Sequence, residues 1–274
     1  MATPDLMEWA AQAEAWADRA GSIAMANLGR AAVREKTDGT EVTDTDMAIQ
    51  SMLVDAIRQS FPGHAIIAEE SLATRSMTPA PDAAPFCWVI DPLDGTRNYV
   101  RGFPGFATSI AVMESGRPIV GVVRWHTTGQ TYSAVLGHGA RAGGRTLHCA
   151  SAPMDSNTLI GAQLGPNHAT DETVAPWLRR WAVRNLGATA LHLALVAAGH
   201  LGAAYARDCW IWDLAAGALL ISEAGGRCTG TSGSEIFPVD LRACARTNYP
   251  LIAGGPDGHR LLLEDLKRRG LDAG

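Results

Sequence analysis

Asp91 and Asp94 stand three residues apart in the run Asp91-Pro92-Leu93-Asp94-Gly95-Thr96, directly after the apolar run Phe86-Cys87-Trp88-Val89-Ile90. Pro92 fixes the backbone between the two acids and removes a donor. Gly95 lets the backbone come close to a ligand. Hard divalent cations take oxygen ligands, carboxylates together with a backbone carbonyl that Leu93 can supply. The amides of Gly95 and Thr96 suit an anion, above all where a helix begins. A polar turn closing a strand would place the same two acids, and for an isolated pair that plainer reading is favoured.

Two further acidic sites shift the balance. Glu69 and Glu70 follow a second short apolar run, and adjacent acids repel unless a cation is near. Asp213 lies in Trp210-Ile211-Trp212-Asp213-Leu214-Ala215-Ala216-Gly217, where its plain reading is a helix cap. Carboxylates clustered at the ends of apolar elements are costly to bury without a cation. The set therefore points to a metal, Mg²⁺ with retained waters.

The elements that must position these groups can be read from periodicity. Residues 5–29 have helical spacing at Leu6, Ala10, Ala13, Ala17, Ala20 and Ala24. Thr43 can cap a second helix running to Ser60, with Asp44 and Asp46 in its first turn. Residues 65–68 and 86–90 read as strands, the latter buried on both faces. Further strands are expected at 107–114, 118–125 and 130–136. Residues 77–85 read as a proline-rich loop and 137–144 as a glycine-rich β-turn. After about residue 152 helix and strand alternate: helices at 172–181, 188–198, 212–223 and 257–269, and strands at 200–207 and 251–253. Two domains are expected, 1–152 with most of the acidic groups and 153–274 closing over them.

Composition excludes several classes. The 274 residues are 47% hydrophobic and 19% charged, which is ordinary for a packed globular chain and not for a disordered one. Lys and Arg number 23 against 28 Asp and Glu, a net charge of −5. No basic stripe for a nucleic-acid polymer is present. The five cysteines form no CxxC pair and have no evident base beside them. Reduced thiols and a cytoplasmic setting are expected, and a cysteine phosphatase is not. The first residues carry Asp5, Glu8, Glu14 and Asp18, unlike a secretory leader. No apolar stretch approaches the roughly 20 residues that a membrane span needs.

Taken together and in order, Glu69-Glu70-Ser71, Asp91 to Thr96 with Asn98, Trp212 to Gly217, and Glu223-Ala224-Gly225-Gly226 resemble the inositol monophosphatase family. The resemblance runs from the first helix to about Leu266. It implies a layered αβαβα sandwich of the α/β class, a homodimer, and a lithium-sensitive phosphomonoesterase that holds two or three Mg²⁺ ions. It implies metal ligands at Glu69, Asp91, the Leu93 carbonyl, Asp94 and Asp213. Gly95 and Thr96 would cradle phosphate, and Thr96 with Asp46 would orient or deprotonate the attacking water. Glu70 would support the catalytic acids. Lys36 reads equally well as a basic residue near the site or as a solvated loop lysine.

Phosphate-monoester hydrolysis is very slow without a catalyst, so positioning and charge neutralisation must do most of the work. Metal-activated water needs no covalent intermediate. The substrate wall departs from the family pattern. Inositol-directed members, and many that act on histidinol phosphate, carry a Glu seven residues before the motif Asp; here that position is Ala206. The stretch Arg184-Asn185-Leu186-Gly187-Ala188-Thr189-Ala190 is close to the family's phosphate-side motif, with Ala188 where a hydroxyl residue is common; Arg184, Gly187, Ala188 and Thr189 are therefore candidate substrate contacts, beside Asp94 and Asp213. Arg207 could favour a second anionic group, or face solvent while Asp208 or a partner subunit replaces the missing Glu. The expected substrate is an inositol phosphate or related polyol phosphate. Histidinol phosphate, a bisphosphorylated nucleotide or sugar cut at its 3′-phosphate, and a non-catalytic binding role are the alternatives.

Overall fold

The computed structural model describes residues 5–36, 39–70, 84–163 and 172–272. Helix α1 (Leu6–Asn27) starts where the Asp5 side chain accepts from the amides of Met7 and Glu8. Its buried stripe runs through Trp9, Ala13, Trp16, Ala20 and Ala24. A two-stranded hairpin, β1 (Val33–Glu35) and β2 (Glu41–Thr43), leads into α2 (Asp44–Ser60). The α2 start is a capping box: Asp46 receives the Thr43 amide while its own amide donates to Thr43 Oγ1.

Seven strands then form one sheet in chain order: β3 (Ala65–Ala68), β4 (Cys87–Asp94), β5 (Ala107–Glu114), β6 (Arg117–Trp125), β7 (Gln130–Val135), β8 (Ala140–Ala142) and β9 (Arg145–Thr146). β3 and β4 are parallel and the other pairs antiparallel. A short helix α3 (Thr96–Val100) leaves the end of β4. Side chains of β4 alternate between two cores: Trp88 and Ile90 pack with α1 and α2, Cys87 and Val89 with the opposite layer. That double burial is why the run is apolar without alternation.

The second half supplies β10 (Leu159–Ala162), β11 (Ala182–Arg184), α4 (Thr189–Ala197), β12 (Ala203–Ala206), α5 (Ile211–Glu223), β13 (Arg227–Gly230), β14 (Leu251–Gly254) and α6 (Pro256–Arg268). Its five strands are ordered β11-β10-β12-β14-β13. Helices α4 and α5 lie between the two sheets, sharing one apolar cluster with Val89 and Ala111 on one side and Ala204 and Ala253 on the other. The outer face of the five-stranded sheet packs Ile160, Tyr205 and Ile252 against Leu262 and Leu266 of α6. The layers are thus αβαβα, as the resemblance implies. Apolar contact makes α5 hydrophobic all round, and Gly217 permits the close approach: a Cβ there would meet Leu193 Cβ of α4 at 2.5 Å.

Several elements differ from the periodicity reading. The 86–90 strand continues through Asp94, so the acidic motif is the end of a strand and not a loop after it. Residues 137–144 contain strand β8 as well as a turn, whose Gly137 and Gly139 amides donate to the Glu223 carboxylate at 2.9 and 2.8 Å. Residues 172–181 do not form the expected α-helix. They make turns with one 3-10 segment at Trp177–Arg179, because Trp177 is drawn into the α6 packing, its indole N–H donating to Asp265 at 2.7 Å. Strands β1, β2, β10, β11 and β13, three or four residues each, carried too little pattern to be read. Most of the 77–85 loop lies outside the described residues. No helix among the described residues is long and apolar enough to cross a membrane.

Candidate active site

Residues three apart on a regular strand point to opposite faces. Asp91 and Asp94 nevertheless converge, because β4 slips register against β5 between them: Asp91 pairs with Ser109 and Asp94 with Ala107. Two residues, Pro92 and Leu93, there oppose one, Thr108, which is a β-bulge. Pro92 has no amide to lose, and its carbonyl accepts from Thr108 Oγ1 at 2.7 Å. The first turn of α5 brings Asp213 to the same point. Ligand oxygens of Asp91, Asp94 and Asp213 lie within 4.8 Å of one another, all three residues buried.

Backbone amides hold each carboxylate in place. Asp91 Oδ1 accepts from the Leu93 amide at 2.9 Å, Asp94 Oδ2 from the Ala190 amide at 2.7 Å, and Asp213 Oδ2 from the Trp210 amide at 2.8 Å. Among the described residues no cationic side chain enters the trio. Burial, then mutual repulsion with Glu69 among the contributors, pushes Asp91 and Asp213 well above the usual carboxylate range. Asp94 is pushed up to about 7, chiefly by burial, with the Ala190 amide opposing. Three buried oxygen donors that repel one another, with Glu69 and the Leu93 residue on the same cavity wall, fit a hard divalent cation.

Glu69 and Glu70 follow β3, the strand parallel to β4. Lys36 Nζ donates to both, at 2.9 and 2.7 Å, so it is no solvated loop lysine. Burial disfavours its charge, but Glu69 and Glu70 outweigh that and raise its pKa. Glu70 rises to about 7, first through burial and then through Glu69, against the pull of Lys36. Its amide donates to Gln50 Oε1 of α2 at 3.0 Å.

Gly95 links strand to helix at φ +89°, and a Cβ there would meet the Gly105 carbonyl at 2.6 Å. Thr96 Oγ1 sits 2.9 Å from Asp46 Oδ1 and 3.0 Å from the Leu93 carbonyl, with one proton to give. Asp46 is buried behind Thr96 and its pKa is raised by that burial, although Thr43 and Thr96 oppose the shift. Asn98 Nδ2 reaches the carbonyls of Gly105 and Leu186 at 2.5 and 2.6 Å, tying α3 to the 184–188 turn. His192 Nε2 accepts from the Leu186 amide at 3.0 Å and secures that turn from beneath.

These groups open onto a cavity of about 510 Å³ lined by Glu69, Asp91, Leu93, Asp94, Gly95, Thr96, Gly187 and Asp213. Not every residue of the substrate-side expectation lines this cavity. Arg184 does not line the cavity; its guanidinium folds back onto the Val183 carbonyl at 3.0 Å, at the exposed edge of the five-stranded sheet. Ala188 and Thr189 lie buried below the wall, where the α4 start holds Asp94. Arg207 is exposed and outside the lining, whereas Asp208 is part of it, because the chain turns between β12 and α5. Asp46 and Glu70 also stand behind the wall. The sequence reading assigned no role to Phe103, Gln163 or Trp210, which line the cavity. Only Trp210 had a signal, its place three residues before Asp213.

Comparison with known proteins places the chain among relatives of the same fold. The inositol monophosphatase family model matches residues 5–268. A protein of Solanum lycopersicum named inositol monophosphatase 2 is 36% identical over 222 residues, covering 77% of this chain and 82% of its own length. Nus factor SuhB of Pseudomonas aeruginosa is 35% identical over 213 residues, covering 75% and 78%. The solved Thermotoga maritima IMPase superposes with a TM-score of 0.82 at 28% identity, covering 96% of this chain and 98% of that one.

Proposed function

Because the chain belongs to the inositol monophosphatase family and is a phosphoric monoester hydrolase of that type, we propose that it hydrolyses a small polyol or sugar phosphate with Mg²⁺ as cofactor. The observation that carries the reading is the convergence of Asp91, Asp94 and Asp213, all buried, at a strand bulge and a helix start, with no cationic side chain of the described residues among them. Glu69, Asp91, the Leu93 carbonyl, Asp94 and Asp213 would hold the metal. Bound there, Mg²⁺ supplies positive charge against the phosphoryl oxygens and acidifies water.

The protein's own groups do the rest. Lys36 offsets the charge of Glu69 and Glu70 and fixes their direction. Thr96 donates its proton to Asp46, which leaves its oxygen lone pairs to accept from a water on the cavity side. Asp46, fastened by Thr43, is the terminal acceptor of that chain. Gly95 brings the backbone close to the phosphoryl group. The 184–188 turn, held by Asn98 and His192, sets the far wall.

The test is phosphate release with and without Mg²⁺ over inositol 1-phosphate, glycerol 2-phosphate, histidinol phosphate and nucleotide 3′-phosphates. Mg²⁺-dependent turnover of at least one monoester is expected. Undiminished turnover in a strong chelator, or none from any member, would overturn the reading.

A further inference from the structure

The residue that opens α5 breaks a local rule. Position 210 is the helix N-cap, where Ser, Thr, Asp or Asn would satisfy a free amide. Trp210 gives no side-chain cap there; Asp213 reaches back to the Trp210 amide instead. The indole is also 38% exposed. It stacks on Trp212, the ring centroids 5.8 Å apart and the planes at 12°, and both line the cavity that holds the acidic cluster. Phe103, 48% exposed, lines it too. Folding does not account for an exposed indole that forgoes a cap, and departures of this kind mark functional positions.

The rest of the wall narrows the ligand. The end of β12 offers only the buried methyl of Ala206. The acid beside the aromatic pair is Asp208, which accepts from Asn248 Nδ2 at 3.5 Å, and Arg207 stays outside. Gln163, Asn185 and Arg97 also line the cavity and supply polar groups and a cation, so the exposed aromatic side chains are what set this wall apart. A flat unsaturated ring gains from the indole face.

We propose that Trp210 determines specificity, and that the alcohol released carries a flat unsaturated ring which stacks on its indole. The inference rests on the phosphatase reading above. Three probes separate the two: benzyl phosphate, cyclohexylmethyl phosphate of the same size without a planar ring, and glycerol 2-phosphate.

The wild type should show a KM for benzyl phosphate about tenfold below that for either of the others, the order of a single aromatic contact. Trp210→Ala should raise the benzyl phosphate KM about tenfold, far more than the glycerol 2-phosphate KM, with kcat on benzyl phosphate moving less than KM. Trp210→Phe should restore most of the loss and shows that the variant wall still folds. Equal KM values for benzyl and cyclohexylmethyl phosphate in the wild type, or equal effects of Trp210→Ala on all three, would overturn the stacking role while leaving the phosphatase intact. Absence of Mg²⁺-dependent release even from glycerol 2-phosphate would overturn both.

Discussion

Replacing Asp94 with Asn should make the protein more stable without metal and less responsive to metal, a reversal that few structural roles produce. The Asp94 carboxyl is raised from 3.8 to about 7 by burial. A raised acid binds more protons folded than unfolded, so its contribution falls as pH climbs between those values. Three pKa units correspond to about 4 kcal/mol against the fold above pH 7. If about half survives relaxation and water entry, Asp94→Asn gains about 2 kcal/mol in chelator at pH 8. That is a Tm increase of about 4–8 °C for a chain of this size. The Asn oxygen can still accept from the Ala190 amide, so the start of α4 is kept. Mg²⁺ at a hundredfold its Kd adds about 2.7 kcal/mol to the wild type, and much less to the variant, whose phosphatase activity should fall by several orders of magnitude. The assay is thermal unfolding with chelator and with Mg²⁺, from pH 4 to 8. The advantage of the variant in chelator should shrink to nothing near pH 4. A variant less stable than wild type in chelator, or one stabilised equally by Mg²⁺, would refute the idea of a cation site built on mutually repelling carboxylates.

Excess Ca²⁺ should inhibit the Mg²⁺-supported reaction, because the larger ion accepts geometries unsuited to catalysis; phosphate release under mixed ions checks this, and Ca²⁺ supporting full turnover contradicts it. Thr96→Ala should lower kcat by about a hundredfold and Thr96→Ser should keep most of it; equal activity of the Ala variant would remove Thr96 from the water-orienting role. His192, lowered to about 4 by burial, is neutral when folded, so stability should drop as pH falls from about 6.5 to 4, by about 3 kcal/mol. Melts of His192→Asn over that range should be flatter, and parallel profiles would contradict the assignment. Gly217→Ala forces a Cβ to 2.5 Å from that of Leu193 and should cost about 1–3 kcal/mol in denaturant unfolding; unchanged stability would mean that α4 and α5 can separate freely.

Taken alone, the sequence determines most long elements and the chemical kind of site. The stripe of α1, the Thr43 cap of α2 and the apolar run before Asp91 are local signals, because periodicity and capping depend on neighbours a few residues apart. The acid-bearing motifs were legible for the same reason, since each sits at the end of one apolar element. Tertiary structure decided what those signals could not contain. The bulge that turns Asp91 and Asp94 to one side exists only as a register against β5. Asp213 meets them from a helix more than a hundred residues later, through packing of α5 under the sheet. Lys36 becomes the partner of Glu69 and Glu70 across a separation of 33 and 34 residues. Arg207 and Asp208 are neighbours in sequence with opposite exposure to the cavity, a choice made by the turn after β12. Short strands such as β10, held between β11 and β12, and β13, paired with β14, gain their stability from those partners and not from their own residues. Long-range register and packing are many-body properties, and a linear pattern of residue types carries no direct record of them.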